Sequence, residues 1–100
     1  MYIWYSISVE YKYDYSPEKN SFLREVRGIG FSDIIAEIKQ GNLLADIDHF
    51  NKKRYSNQRI FIVKVKTKVY AVPYIIDRKR NVRFLKTIYP NRKLKEKYLK

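Results

Sequence analysis

Apolar and polar residues alternate from the start of the chain. Ile3, Tyr5, Ile7, Val9, Tyr11 and Tyr13 share one face, while Ser6, Ser8, Glu10, Lys12 and Asp14 take the other, with Trp4 breaking the pattern. A period of two in β-branched and aromatic residues predicts a strand with one buried face. The period then changes. In "SPEKNSFLREVRG", Ser16 is a helix cap, Pro17 suits the first helical position and Glu18 suits the positive N-terminal end. Phe22, Leu23 and Val26 form its apolar stripe, and Gly28 ends it. A second helix follows, expected to be capped by Ser32, striped by Ile34, Ile35 and Ile38, and stopped by Gly41. Leu43, Leu44, Ala45 and Ile47 suggest a short strand, and "DHFNKKRYSNQ" a polar loop.

Two strong strands come next, "RIFIVKV" and "VYAVPYII", joined by "KTK" and therefore expected to form an antiparallel hairpin. Proline cannot donate to a sheet ladder, so Pro73 implies an edge, a bulge or a strand end. "VRFLKTIY" reads as the last strand, and "NRKLKEKYLK" as a short basic helix anchored by Leu94 and Tyr98. Early helices and consecutive strands give an α+β fold in one domain over residues 1–100. The expected architecture is a mainly antiparallel sheet of four to five strands, in the order β-α-α-β-β-β-β-α. Two helices from the N-terminal half lie on one face, and a short helix closes the chain.

Charge changes the picture more than composition does. The net charge is +12. Residues 1–50 hold 5 Lys/Arg against 8 Asp/Glu, net −3; residues 51–100 hold 17 against 2, net +15. Such a field concentrates polyanions, and nucleic acid is the commonest one in a cytoplasm. With no cysteine, disulfides and thiolate metal sites are excluded and a reducing cytoplasm is the expected compartment. No basic leader with an unbroken apolar core opens the chain, and no apolar run is long enough to span a membrane. The expectation is therefore no membrane partner and no cofactor.

G-x-S-x-G, Gly-rich phosphate-loop and H-E-x-x-H motifs are absent from the sequence. Asp46 and Asp48 would share a strand face, but two carboxylates are too few for a metal, and none is expected. His49 is the one side chain suited by type to proton transfer near neutral pH, either as a catalyst or as an ordinary loop residue. In strict alternation Phe84, Lys86 and Ile88 share a face. If Phe84 and Ile88 are core, Lys86 is partly desolvated and placed to stabilise a pentavalent phosphate; otherwise it reaches solvent. Arg92 opens the last helix, where a guanidinium can grip a phosphate. Of the ten tyrosines, Tyr55 and Tyr89 sit in polar neighbourhoods and could stack on bases or simply pack. Arg59, Arg83 and Lys93 complete the RNA-contact candidates.

The stretch "YSPEKNSFLREVRGIGF" resembles the N-terminal signature of BrnT-like toxins, small members of the RelE-like superfamily, W-D-P-x-K-x-x-x-N-x-x-K-H-G-I-S-F. The two align without a gap over about 17 positions. Pro17, Lys19, Gly28, Ile29 and Phe31 match, while Tyr15, Ser16 and Leu23 replace Trp, Asp and Asn. "TIYPNRKLKEKY" is similar to the family's closing I-I-S-A-R-K-A and helix, with Ile88, Arg92 and Lys93 in corresponding places and one extra residue. The resemblance implies an α+β fold, a translation-inhibiting RNA endonuclease activity without metal, and a small antitoxin with an acidic toxin-binding segment. The signature Lys carries to Lys19 and the closing Arg to Arg92. The signature His falls on Arg27, which cannot act as a base but can bind phosphate. The expected catalytic set is Lys19, Arg27, His49, Lys86 and Arg92, with His49 or Lys86 taking over proton transfer. The alternative is a non-catalytic basic nucleic-acid-binding module or an inactivated relative of the toxins; a weaker one is a basic face that meets an acidic protein.

Overall fold

The computed structural model describes residues 12–99. Along the chain run β1 (Lys12–Asp14), α1 (Pro17–Arg27), α2 (Phe31–Lys39), β2 (Leu43–Asp48) and β3 (Gln58–Val65). They are followed by β4 (Lys68–Asp77), β5 (Val82–Leu85), β6 (Tyr89–Pro90) and α3 (Arg92–Tyr98). The strands form one mixed sheet in the order β1-β5-β4-β3-β2, with β6 also paired to β4. β1 runs parallel to β5 and the other pairings are antiparallel. The fold is the α+β class expected, with six described strands rather than four or five. Most of the predicted first strand lies outside the described residues; its end is β1.

Local chemistry sets the helix ends. Ser16 Oγ accepts the Lys19 amide at 3.1 Å, and Gly28 closes α1 in the left-handed region at φ 74°. α2 is not capped by Ser32. It starts two residues earlier, with Gly30 as the capping residue and the Asp33 carboxylate accepting the Gly30 amide at 2.8 Å. Glycine is required there because a Cβ would collide with Asn20 Oδ1, which accepts the Phe31 amide at 2.6 Å. At the other end of α2, Gly41 donates to Ile38 and Asn42 to Glu37, a Schellman arrangement with Gly41 at φ 93°.

The sheet has two covered faces. Phe61, Val63, Tyr70, Val72 and Tyr74 pack under Leu23 of α1 and Phe31, Ile34 and Ile38 of α2. Ile60, Ile62, Val69 and Ala71 pack under Leu94 of α3, with Tyr98 and Leu99 beside it. The stripe expected on α1 is only partly core. Leu23 is buried, but Phe22 and Val26 are 58% and 61% exposed. The helix is held to the sheet through Leu23 and through the turn at Ile29 and Phe31.

Pro73 governs the middle of the sheet. It lies neither at an edge nor at a strand end, but inside the central strand β4, opposite Ile60 of β3. Its carbonyl accepts the Lys86 amide at 2.8 Å on the other side. The reciprocal bond to Lys86 cannot form, because proline has no N–H. β5 ends at Leu85, one residue before that missing rung. Pairing resumes at β6, with Ala71 opposite Tyr89, where the register set by Tyr74 and Leu85 would have put Ile88. One extra residue has entered, as in a β-bulge.

That single-residue slip reverses the facing of everything after it. Ile88 joins Leu85 in the core beneath α1 and α2, and Tyr89 turns to the α3 face. The strict alternation expected for "VRFLKTIY" therefore fails, and with it the desolvated Lys86. Ile88 no longer shares a face with Lys86, which is exposed, with Nζ 5.5 Å from the Phe84 ring. Ile88→Ala should cost about 2–5 kcal/mol of stability in urea denaturation, as deletion of a fully buried side chain does. Lys86→Ala should change it by less than about 0.5 kcal/mol. Equal effects would mean that Lys86 is part of the core after all.

Candidate nucleic-acid interface

The two-residue turn between β3 and β4 marks one end of the sheet, and Lys66 within it takes a φ of 58°. Cations gather there from four parts of the chain. A concavity of about 420 Å³ is lined by Lys68, Val69, Pro90, Asn91, Arg92 and Lys95. A second, of about 500 Å³, takes in Arg27, Lys66, Lys68 and Tyr70, with Arg24, Asp33 and Glu37 on its helical wall. Lys68 lines both. Arg92 arrives because β6 carries the chain back along β4 to this end, where the Asn91 amide donates to Val69 and Asn91 Oδ1 accepts the Leu94 amide to start α3.

The acids at this end are already engaged. Asp33 holds Arg24 at 3.3 Å, and Glu37 accepts from Asn42 at 2.7 Å. Among the described residues, Arg27, Lys66, Lys68, Arg92 and Lys95 form no ion pair. Five exposed cations around two adjoining hollows make a surface suited to phosphates, with bidentate grip available from the two guanidinium groups.

The other expected residues are elsewhere. Lys19 is exposed on the first turn of α1, about 12 Å along the helix from Arg27 at 1.5 Å per residue. Lys86 is level with the middle of β4, and Arg83 is near that strand's far end, donating to Asn81 Oδ1 at 3.3 Å. Lys93 is exposed on α3. Tyr89 packs into the α3-side core, and burial raises its ionisation above the ordinary tyrosine value. His49 and Tyr55 lie in the loop joining β2 to β3, at the opposite end of the sheet from the turn. β3 alone separates those ends by about 23 Å at 3.3 Å per residue. The structure thus places Arg27 and Arg92 at the same end of the sheet, in hollows on its two faces that share Lys68, and His49 at the opposite end.

Arg59 has a different set of partners. Its Nε donates to Asp46 Oδ1 at 3.1 Å, Nη1 to Asp48 Oδ1 at 2.8 Å and Nη2 to the Asp46 carbonyl at 2.9 Å. Tyr74 Oη donates to the same Asp46 oxygen at 2.7 Å. Burial, followed by the Asp46 hydrogen bond and charge, pushes the Tyr74 hydroxyl well above its usual value. The two aspartates are therefore a clamp for Arg59, and the "ADID" spacing already put both on one strand face. What the sequence did not reveal was that Arg59 pairs directly opposite Asp48. The cationic end itself was also missed as a unit. Lys66, Lys68 and Lys95 were visible only as part of the total charge.

Comparison with protein-family models, with curated proteins and with solved structures finds no match. No described helix is long and apolar enough to cross a membrane.

The clamp predicts pH-dependent stability. The hydrogen bond from Lys52, then its charge and that of Arg59, hold the Asp48 carboxyl below its ordinary value of 3.8; Arg80 does the same for Asp77. Their folded values are lowered, so their contribution is present above pH 3.8 and lost as pH falls through the folded values. Asp48→Asn should flatten the acid limb of a urea-midpoint profile, and an unchanged limb would remove Asp48 from the account. For Tyr74 the sign reverses, with stability present below pH 10 and lost above it. Asp46→Ala should cost about 1–3 kcal/mol by leaving the buried Tyr74 hydroxyl without its acceptor. Tyr74→Phe should cost less.

Proposed function

We propose that this protein is the toxin of a toxin–antitoxin pair, a cytoplasmic, metal-independent RNA endonuclease that inhibits translation. The cationic end of the sheet is its RNA site. One observation carries this reading: Arg27 and Arg92, distant in sequence, line two hollows joined at Lys68. Those are the residues that fall on the His of the N-terminal signature and the Arg of the closing segment in the resemblance to BrnT-like toxins.

The chemistry is attack of a ribose 2′-oxygen on the adjacent phosphorus. A new P–O2′ bond forms and the P–O5′ bond breaks, leaving a cyclic phosphate and a 5′-hydroxyl. Charge develops on the phosphoryl oxygens, and fixed cations lower that barrier most. Arg27, Lys68 and Arg92 supply those charges. With His49 at the other end of the sheet, water takes the 2′ proton and a lysine ammonium gives one to the leaving oxygen. The partners are RNA and an antitoxin whose acidic segment competes for the same cations.

A second reading is a non-catalytic RNA-binding module, favoured by the distance of the imidazole from the cationic end. Expression of the protein alone, with growth and total RNA followed together, separates the two. The endonuclease predicts arrest with RNA cleavage, and Arg92→Ala, shown to be folded by circular dichroism, should cleave roughly 100-fold more slowly. Normal growth with intact RNA would leave the binding module. That module predicts salt-sensitive RNA binding, with a salt slope that falls by about 1 when Arg92 is removed.

A further inference from the structure

The loop from His49 to Asn57 carries a group of planar side chains that neither core uses. Phe50 lies 53% exposed. The His49 ring is centred 6.3 Å from Phe50 and 4.5 Å from Tyr55, and the Arg54 guanidinium sits 5.4 Å from the Tyr55 ring. Phe50, His49, Tyr55 and Arg54 thus form a contiguous cluster, with the His49 ring tilted 60° to Phe50 and 37° to Tyr55. Lys52 and Lys53 flank it, both exposed.

The cluster is built rather than incidental. Asn51 organises the loop from its centre. Its amide donates to His49 Nδ1 at 3.0 Å, its Oδ1 accepts the Arg54 amide at 3.3 Å, and its carbonyl accepts the Tyr55 amide at 2.9 Å. The Gln58 amide donates to the Tyr55 carbonyl at 3.0 Å and leads the chain into β3. Lys52 is tied to Asp48 at 2.9 Å, and Asp48 in turn to the Arg59 clamp. Phe50 leaves about half of its surface in water and belongs to neither core cluster, so that surface is available to a partner. On a fixed loop beside cations it offers a face on which an unpaired base can stack, while Lys53 and Arg54 meet the flanking phosphates.

We infer that this loop is a second RNA contact, in which Phe50 stacks on an unpaired base, opposite in position to the phosphate-binding end of the sheet. The inference rests on the RNA reading above and adds to it. The cationic end binds any backbone, and the loop requires a base. His49 and Tyr55 lie behind Phe50 in the same cluster.

The test uses the full chain and two fluorescent single-stranded RNAs of equal length and charge, one of mixed unstructured sequence and one abasic at every position. Wild type should bind the base-bearing RNA about tenfold more tightly, the worth of one base on an aromatic face. Phe50→Ala should lose that factor and leave binding of the abasic RNA unchanged; Phe50→Trp should keep it. Lys68→Ala should weaken both RNAs alike. A 2-aminopurine in the base-bearing RNA should change its emission on binding wild type and not on binding Phe50→Ala. Equal binding of both RNAs by wild type, or an equal loss on both in Phe50→Ala, overturns the stacking contact while leaving the RNA reading intact. Binding of neither RNA overturns that reading and this inference with it.

Discussion

Pro73 sits in the middle of the central strand with no amide proton to give, and the strand beside it must yield. β5 pairs with β4 up to Leu85, donates one bond through Lys86, and stops where the return bond is impossible. An extra residue then passes before pairing resumes at Tyr89. Through that slip Ile88 reaches the core beneath the two early helices and Tyr89 reaches the core beneath α3. A continuous strand would have put these side chains on the wrong faces. The proline therefore couples the two hydrophobic layers.

The same break positions the cations. After it the chain still runs along β4 toward the β3–β4 turn, so Asn91 meets Val69 and α3 begins with Arg92 beside Lys68. From the other face, α1 runs toward the same end and delivers Arg27. Neither guanidinium is near the other in sequence. Both are placed by elements whose own reasons for folding are apolar: Leu23 and Phe31 for the first, Leu94 and Tyr98 for the second. Arg24 pairs with Asp33 at that end and Glu37 keeps its charge, but Arg27, Lys66, Lys68, Arg92 and Lys95 outnumber these acids and the field stays positive.

At the far end the charges are arranged in the opposite way. Arg59 is gripped by two aspartates and shares one of them with Tyr74, while Lys52 shares the other. This network fixes the roots of the β2–β3 loop. A loop so anchored can hold Phe50 and Tyr55 in defined positions without a core of its own. The sheet thus separates two kinds of surface, one of open cations and one of aromatic rings beside paired charge.

Features under local chemical control were legible in the residues alone. Ser16 and Gly28 bounded α1 as their caps require, Gly41 stopped α2, and the alternation in "RIFIVKV" and "VYAVPYII" produced β3 and β4. The charge asymmetry was equally plain. The remaining features depend on partners distant in the chain and emerged only on folding. Ser32 lost the capping position to Gly30 because Asn20 approaches there. Phe22 and Val26 had the spacing of a core stripe, yet α1 meets the sheet through Leu23. Lys86 became exposed because a proline on the neighbouring strand shifted the register after it, and no pattern within "VRFLKTIY" records that. Which cations stand together was likewise a matter of which strand ends meet, and periodicity carries no information about that.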